Sequence, residues 1–143
     1  MMGTKIISAF CGCGKSFICD TYHNISVLEY ECWKYDSDSI FPINYIEDIK
    51  SQIGEVDYIF ISTNPIVLKE LFKQGIKATL IYPNIKLKCD YIERYENRGS
   101  SFDFIKMLDS NWEKWINELK DQSYLRHIVL EKGEYISDHI NNV

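Results

Sequence analysis

The sequence predicts an α/β domain: a parallel sheet of five strands with helices on both faces. Three observations lead there. Short apolar runs rich in β-branched residues alternate with segments of helical period along the 143 residues, which is the pattern of successive βαβ units. The run "VDYIFIS" at 56–62 is nearly continuous in apolar residues, as expected of a strand covered on both faces. The length suits one compact domain (1–143) with a real core, and no repeat, low-complexity stretch or linker divides it.

The elements follow in order. "TKIISAF" (4–10) is a strand, "GKSFICDTY" (14–22) a helix that starts at glycines, and "ISVLEY" (25–30) a second strand. "NYIEDIKSQIG" (44–54) reads as a helix. Asn44 and Glu47 are spaced as a capping box, Ile46, Ile49 and Ile53 form an apolar face, and Gly54 is the stop. After the strand at 56–62, "NPIVLKELFKQG" (64–75) has Asn64 as cap, Pro65 in the first turn and Gly75 as terminator. "KATLIY" (77–82) is a fourth strand closed by Pro83. A polar segment with two arginines spans 84–100. A long helix is predicted over 101–121 with Ser100 and Ser101 at its cap. Its apolar face is Phe102, Ile105, Leu108, Trp112, Trp115 and Leu119, whose aromatic rings suit a core better than a base-stacking platform. "HIVLE" (127–131) is a fifth strand and "EYISDHINN" (134–142) a short closing helix.

Composition removes several classes of function. A net charge of −5 and a pI near 5.2 argue against a mainly electrostatic nucleic-acid binder. No apolar run approaches the length of a membrane span, and the N-terminus does not read as a signal peptide. The five cysteines (Cys11, Cys13, Cys19, Cys32, Cys89) match no disulfide framework or zinc spacing, and His23, His127 and His139 add none. The expectation is a cytoplasmic protein with reduced thiols.

The segment that carries chemistry is "AFCGCGKS" at 9–16. It fits a permissive Walker A pattern, or P-loop: Ala9 where the strict form has glycine, four residues, then Gly14, Lys15 and Ser16. Such a loop turns backbone N–H groups onto phosphate oxygens, and Gly12 and Gly14 give it the necessary freedom. The following helix presents its positive end to the anion. In this reading Cys11, Gly12, Cys13, Gly14, Lys15, Ser16 and Phe17 bind nucleotide, Lys15 reaches the terminal phosphates, and Ser16 ligates Mg²⁺. The cysteines sit where small side chains fit, and a helix start can activate a thiol.

A phosphotransferase also needs carboxylates and further cations. The strand at 56–62 ends in Ser62 and Thr63, with Asp57 at its wrong end, so the usual carboxylate after that strand is missing. Glu29 and Glu31, two apart on an extended segment, can act on Mg²⁺ through water and on the acceptor. Asp36 and Asp38 in the next turn are the alternative pair. Arg94 and Arg98 lie four apart before Gly99, which suits a lid over phosphates. Glu-Arg pairing with Glu93 or Glu96 on a surface helix is the plainer reading. Gly133 in "EKGEY" (131–135) allows close backbone approach to a base.

Taken together, "IISAFCGCGKS", "VLEYE", "FPINYIEDIK", "YIFIST", "LIYPNIKLKCDYIERYENRGS", "FIKMLDSNWEKWINEL" and "HIVLEKGEYISD" resemble a group of small P-loop kinase-like proteins of phages and low-GC bacteria, often labelled adenylate kinase-like. The resemblance spans nearly the whole chain. It implies the three-layer P-loop NTPase fold of the nucleoside-monophosphate-kinase type, with strand order 2-3-1-4-5 and a small helical lid at 84–100. The group's acidic segment, typically Asp-x-Glu-Ser, falls on Glu29, Tyr30, Glu31 and Cys32, with Glu for Asp and Cys for Ser as departures. Its Arg-x-x-x-Arg-Gly falls on Arg94, Arg98 and Gly99. The implied function is ATP- and Mg²⁺-dependent phosphoryl transfer to a nucleoside monophosphate, with Lys15, Glu31, Arg94 and Arg98 as catalytic residues. A kinase for another small acceptor or a nucleic-acid 5′-hydroxyl, and a non-catalytic nucleotide-binding regulator, are the alternatives.

Overall fold

A computed structural model describes residues 3–21 and 24–143, apart from the side chains of Ser16, Cys19 and Asn142. Five strands, β1 (Lys5–Ala9), β2 (Val27–Tyr30), β3 (Tyr58–Ile61), β4 (Thr79–Pro83) and β5 (Arg126–Leu130), form one all-parallel sheet in the order β2-β3-β1-β4-β5. The connecting helices are α1 (Lys15–Thr21), α2 (Ile43–Gln52), α3 (Pro65–Lys73), α4 (Lys88–Asn97) and α5 (Phe102–Lys120). Tyr22 of the predicted first helix, and His23, lie outside the described residues.

β1 is central. Lys5 to Ser8 register with Tyr58 to Ile61 of β3 on one side, and Ile7 to Ala9 with Thr79 to Ile81 of β4 on the other. β3 and β4 are buried at almost every residue, so their Val/Ile-type runs read as continuous rather than alternating. Ser8, fully buried, donates its hydroxyl proton to the Ser62 carbonyl at 2.9 Å, which removes the cost of an unpaired polar group. Right-handed crossovers send α1 to one face and α2, α3 and α5 to the other. The pairings of α2 with α3 and of α4 with α5 agree with that layout.

Local sequence explains most boundaries. Asn64 Oδ1 accepts from the Ile66 amide at 2.8 Å and Pro65 opens α3. Ser101 Oγ accepts from the Phe104 amide at 3.2 Å and opens α5. From α5, Leu108, Trp112, Ile116 and Leu119 enter the core, with the Trp112 indole N–H donating to the Ile85 carbonyl at 2.7 Å. Three expectations need correction. Asn44 is not the cap of α2: the helix starts at Ile43, behind Pro42, and Asn44 Nδ2 donates to the Tyr35 carbonyl instead. That side chain ties the preceding turn to the helix, and Ile53 falls beyond its end, largely exposed. Phe102, expected on the apolar face, is 77% exposed, and from the same turn of α5 Phe104 and Ile105 pack against the core instead. The closing segment is not one helix but two 3-10 turns, Ile136–Asp138 and Ile140–Asn142. No helix among the described residues is long and apolar enough to cross a membrane.

Candidate functional site

The loop between β1 and α1 stands at the carboxyl edge of the central strand, where open α/β sheets bind ligands. The Phe10 amide still bonds to the Ile81 carbonyl of β4, and the chain then leaves the sheet. Gly12 (φ +85°) and Gly14 (φ +101°) occupy the left-handed half of conformational space, which a side chain disfavours. Space restricts them too. A Cβ on Gly12 would sit 2.9 Å from Tyr95 Cε1, and one on Gly14 3.2 Å from Tyr135 Cδ2.

Three consecutive carbonyls of this loop are held by groups distant in sequence. The Tyr95 hydroxyl donates to the Cys11 carbonyl at 2.8 Å, Arg94 Nη1 donates to the Gly12 carbonyl at 2.8 Å, and the Ile136 amide donates to the Cys13 carbonyl at 2.9 Å. The N–H groups of Gly12 and Gly14 find no partner among the described residues. Peptide planes fixed by their oxygens leave N–H groups free to meet an anion.

The Arg94 guanidinium lies between the rings of Tyr91 and Tyr135, 4.3 and 4.0 Å from their centroids, and a second nitrogen reaches the Glu134 carbonyl at 3.4 Å. Arg98 stacks over Tyr95 at 5.0 Å and donates Nε–H to the Ser100 hydroxyl at 3.1 Å. Neither arginine forms an ion pair among the described residues, so the expected Glu93 or Glu96 partners are not used. Region 84–100 is mostly α4, docked on the loop through the fully buried Tyr91 and Tyr95.

A cavity of about 410 Å³ opens on this assembly. Of the residues singled out in the sequence, it brings together Gly12, Gly14, Lys15, Phe17, Arg94 and Arg98, and adds Asn97 and Tyr135. Lys15 has no carboxylate partner among the described residues. The Ser16 side chain, assigned to Mg²⁺, lies outside the described residues. Cys13 does not face the cavity. It is buried, 3.8 Å from the Tyr91 hydroxyl, and desolvation pushes its thiol up to about 12, the reverse of an activated cysteine. Cys11 is exposed, yet desolvation of its thiol by the surrounding protein raises it as well, against the pull of Lys15 and Arg98. Cys11, Cys13, Cys32 and Cys89 are free thiols.

The carboxylates stand apart from that cavity. Glu31 follows β2 in extended conformation, close enough to the Cys11 and Cys32 thiols for its charge to raise both. Glu29 is exposed on β2, opposite Phe60 of β3. Asp38 is engaged in its own turn, its carboxylate accepting from the Ile40 amide at 3.1 Å. No group of three metal-ligating His, Cys, Asp or Glu side chains occurs among the described residues.

Tyr91 and Tyr95 are the functional residues that charge-based reading misses. Tyr91, Arg94, Tyr95 and Arg98 are spaced i, i+3, i+4, i+7, one stripe of a helix. That alternation of rings and cations was a usable signal. No protein-family model and no curated protein matches this sequence.

Proposed function

We propose that the chain is an ATP-dependent phosphotransferase of the P-loop kinase type, working in the cytoplasm on a small acceptor of nucleotide type. The observation that carries the reading is the glycine loop. Its carbonyls are tied back, its Gly12 and Gly14 N–H groups are free among the described residues, and it opens on a cavity that Lys15 and Arg98 also line. A triphosphate chain meets there the convergent N–H groups and cations that phosphoryl transfer requires.

In this reading the loop amides and Lys15 hold the β- and γ-phosphates, and Arg98 neutralises charge on the moving group. Arg94 acts mainly by fixing the loop, with one edge in the cavity. Ser16, with Glu29 and Glu31 through water, would hold Mg²⁺, which would supply neutralisation of the charge on the phosphates. The acceptor oxygen bonds to the γ-phosphorus, the bond to the β,γ-bridging oxygen breaks, ADP leaves, and the acceptor proton passes to Glu31. The resemblance points to a nucleoside monophosphate as acceptor. The assay is acceptor-dependent ADP formation across nucleosides and nucleotides, with calorimetric ATP binding alongside. ATP binding that is lost in Lys15→Ala, together with turnover of one acceptor, supports the reading.

A second reading, a nucleotide-binding regulator, is favoured by one feature: β3 runs into Ser62 and Thr63 instead of a carboxylate. Tight ATP binding with no acceptor consumed would select it.

A further inference from the structure

A second cavity, of about 290 Å³, lies between the turn joining β3 to α3 and the C-terminal half of α5. Phe10, Ser62, Thr63, Asn64, Trp115 and Glu118 are the lining residues that matter here. Its place follows from the topology. β1 and β3 are neighbours in the sheet, but β1 leads through α1 to β2 at one edge, whereas β3 leads through α3 across β1 to β4. Right-handed crossovers then take the two chains to opposite faces. The gap between their ends is therefore a switch-point crevice of the kind in which open α/β sheets bind small molecules. Phe10 contributes to this cavity and is covalently next to Cys11, so the crevice adjoins the glycine loop without sharing its cations.

The chemistry of the lining restricts the occupant. Phe10, Pro65, Trp115 and Leu119 provide an apolar wall suited to a flat ring. Two of the polar groups are already engaged: Ser62 Oγ accepts from the Asn64 amide at 3.0 Å, and Asn64 Oδ1 caps α3. The Thr63 hydroxyl, the Asn64 side-chain N–H groups, the Trp115 indole N–H and the Glu118 carboxylate remain without a hydrogen-bond partner among the described residues. Among the described residues, no lysine, arginine or histidine lines the cavity, in contrast to the neighbouring site with Lys15, Arg94 and Arg98. A phosphate placed here would face the Glu118 carboxylate with no cationic side chain among the described lining residues and only the N-terminal end of α3 to favour it, whereas hydroxyl groups would find both an acceptor and donors.

We propose that this crevice is the acceptor site, and that it takes a nucleoside, a base and sugar with no phosphate of its own. The proposal rests on the reading of the glycine loop as the donor-phosphate site and replaces the nucleoside monophosphate to which the resemblance points with an unphosphorylated nucleoside. A sugar hydroxyl oxygen forms the bond to the γ-phosphorus, the bond to the β,γ-bridging oxygen breaks, ADP departs, and the hydroxyl proton passes through water to Glu31, which does not itself line the crevice. Glu118 and Trp115 are specificity residues in this account.

The test reads binding directly, with no ATP present. Tryptophan fluorescence is followed in a Trp33→Phe background, which leaves buried Trp112 and the cavity residue Trp115 as reporters. The probes are the common nucleosides and their 5′-monophosphates. At least one nucleoside should change the emission saturably and bind at least tenfold more tightly than its own monophosphate. Glu118→Lys should reverse that preference. Lys15→Ala should leave nucleoside binding unchanged while ATP binding disappears. No saturable nucleoside binding, or a monophosphate that binds as tightly as its nucleoside, overturns the proposal. If nucleosides bind as described but Lys15→Ala still binds ATP normally, the donor-site reading fails and the crevice assignment stands on its own.

Discussion

Replacing Arg94 by alanine separates two roles that sequence reasoning merges. A free lid arginine contributes to turnover and little to folding. The Arg94 of this fold donates to the Gly12 carbonyl at 2.8 Å and the Glu134 carbonyl at 3.4 Å, and it is stacked between Tyr91 and Tyr135. A hydrogen bond from a charged donor contributes about 1.5–3 kcal/mol, and each cation–π contact about 0.5–1 kcal/mol or more when desolvated. One side chain makes all of these contacts, so they do not add fully. A net loss of about 3 kcal/mol is expected for Arg94→Ala, which lowers the melting temperature by about 10 °C for a domain of this size. Arg94→Lys keeps the charge but loses the planar fork, and should lose about half as much. Urea unfolding of the three proteins measures this, with ATP affinity taken at a temperature where all are folded. An Arg94→Ala protein within about 0.5 kcal/mol of the parent would refute the reasoning and return Arg94 to the status of a free lid residue.

Two further predictions follow from the same region. Gly12→Ala places a Cβ 2.9 Å from Tyr95 Cε1 on a residue with φ of +85°, whereas Gly54 has φ of +91° with nothing within 4 Å. Gly54→Ala should therefore cost only the backbone part, about 1–2 kcal/mol, and Gly12→Ala should cost about 1–3 kcal/mol more from overpacking; equal losses on urea unfolding would remove steric closure as the reason for Gly12. The Cys13 thiol, ordinarily near 9.0, holds its proton up to about 12 in the folded chain because burial disfavours the thiolate. Its contribution to stability is present in full below pH 9 and is lost as the pH rises toward 12, with a slope of up to about 1.4 kcal/mol per pH unit. Burial raises Tyr45, Tyr91 and Tyr95 in the same direction. Denaturant midpoints should therefore fall steeply between pH 9 and 11, less steeply in Cys13→Ala, and a flat profile would count against the burial of these groups.

The inner strands β1, β3 and β4 were legible because burial on both sheet faces writes itself as unbroken apolar runs, and α3 was legible from Asn64, Pro65 and Gly75, each of which has the role expected of it. Asn44 misled because a short polar residue near a helix start has two uses, and here it binds a carbonyl of the preceding turn rather than the first amides. At the candidate site, the glycines and Lys15 could be read locally, since two glycines one residue apart between a strand and a helix mark a turn that needs positive φ. What was hidden is how the loop is held. Its partners, Arg94 and Tyr95, come 82 and 84 residues later, and no local pattern announces such a contact. The crevice lined by Phe10, Thr63 and Glu118 was hidden for the same reason: it draws on three elements that only the sheet order brings together.

The tying of the Cys11, Gly12 and Cys13 carbonyls to α4 and to Ile136 has a consequence for when the loop acquires its shape. Contacts that close such long stretches of chain form late in folding, because the entropy of closure must be met first. The loop's shape is thus a property of the completed domain, absent from any N-terminal fragment that contains the loop residues alone. A ligand that recognises that shape selects the whole native state, so its binding free energy adds to global stability rather than to one local turn.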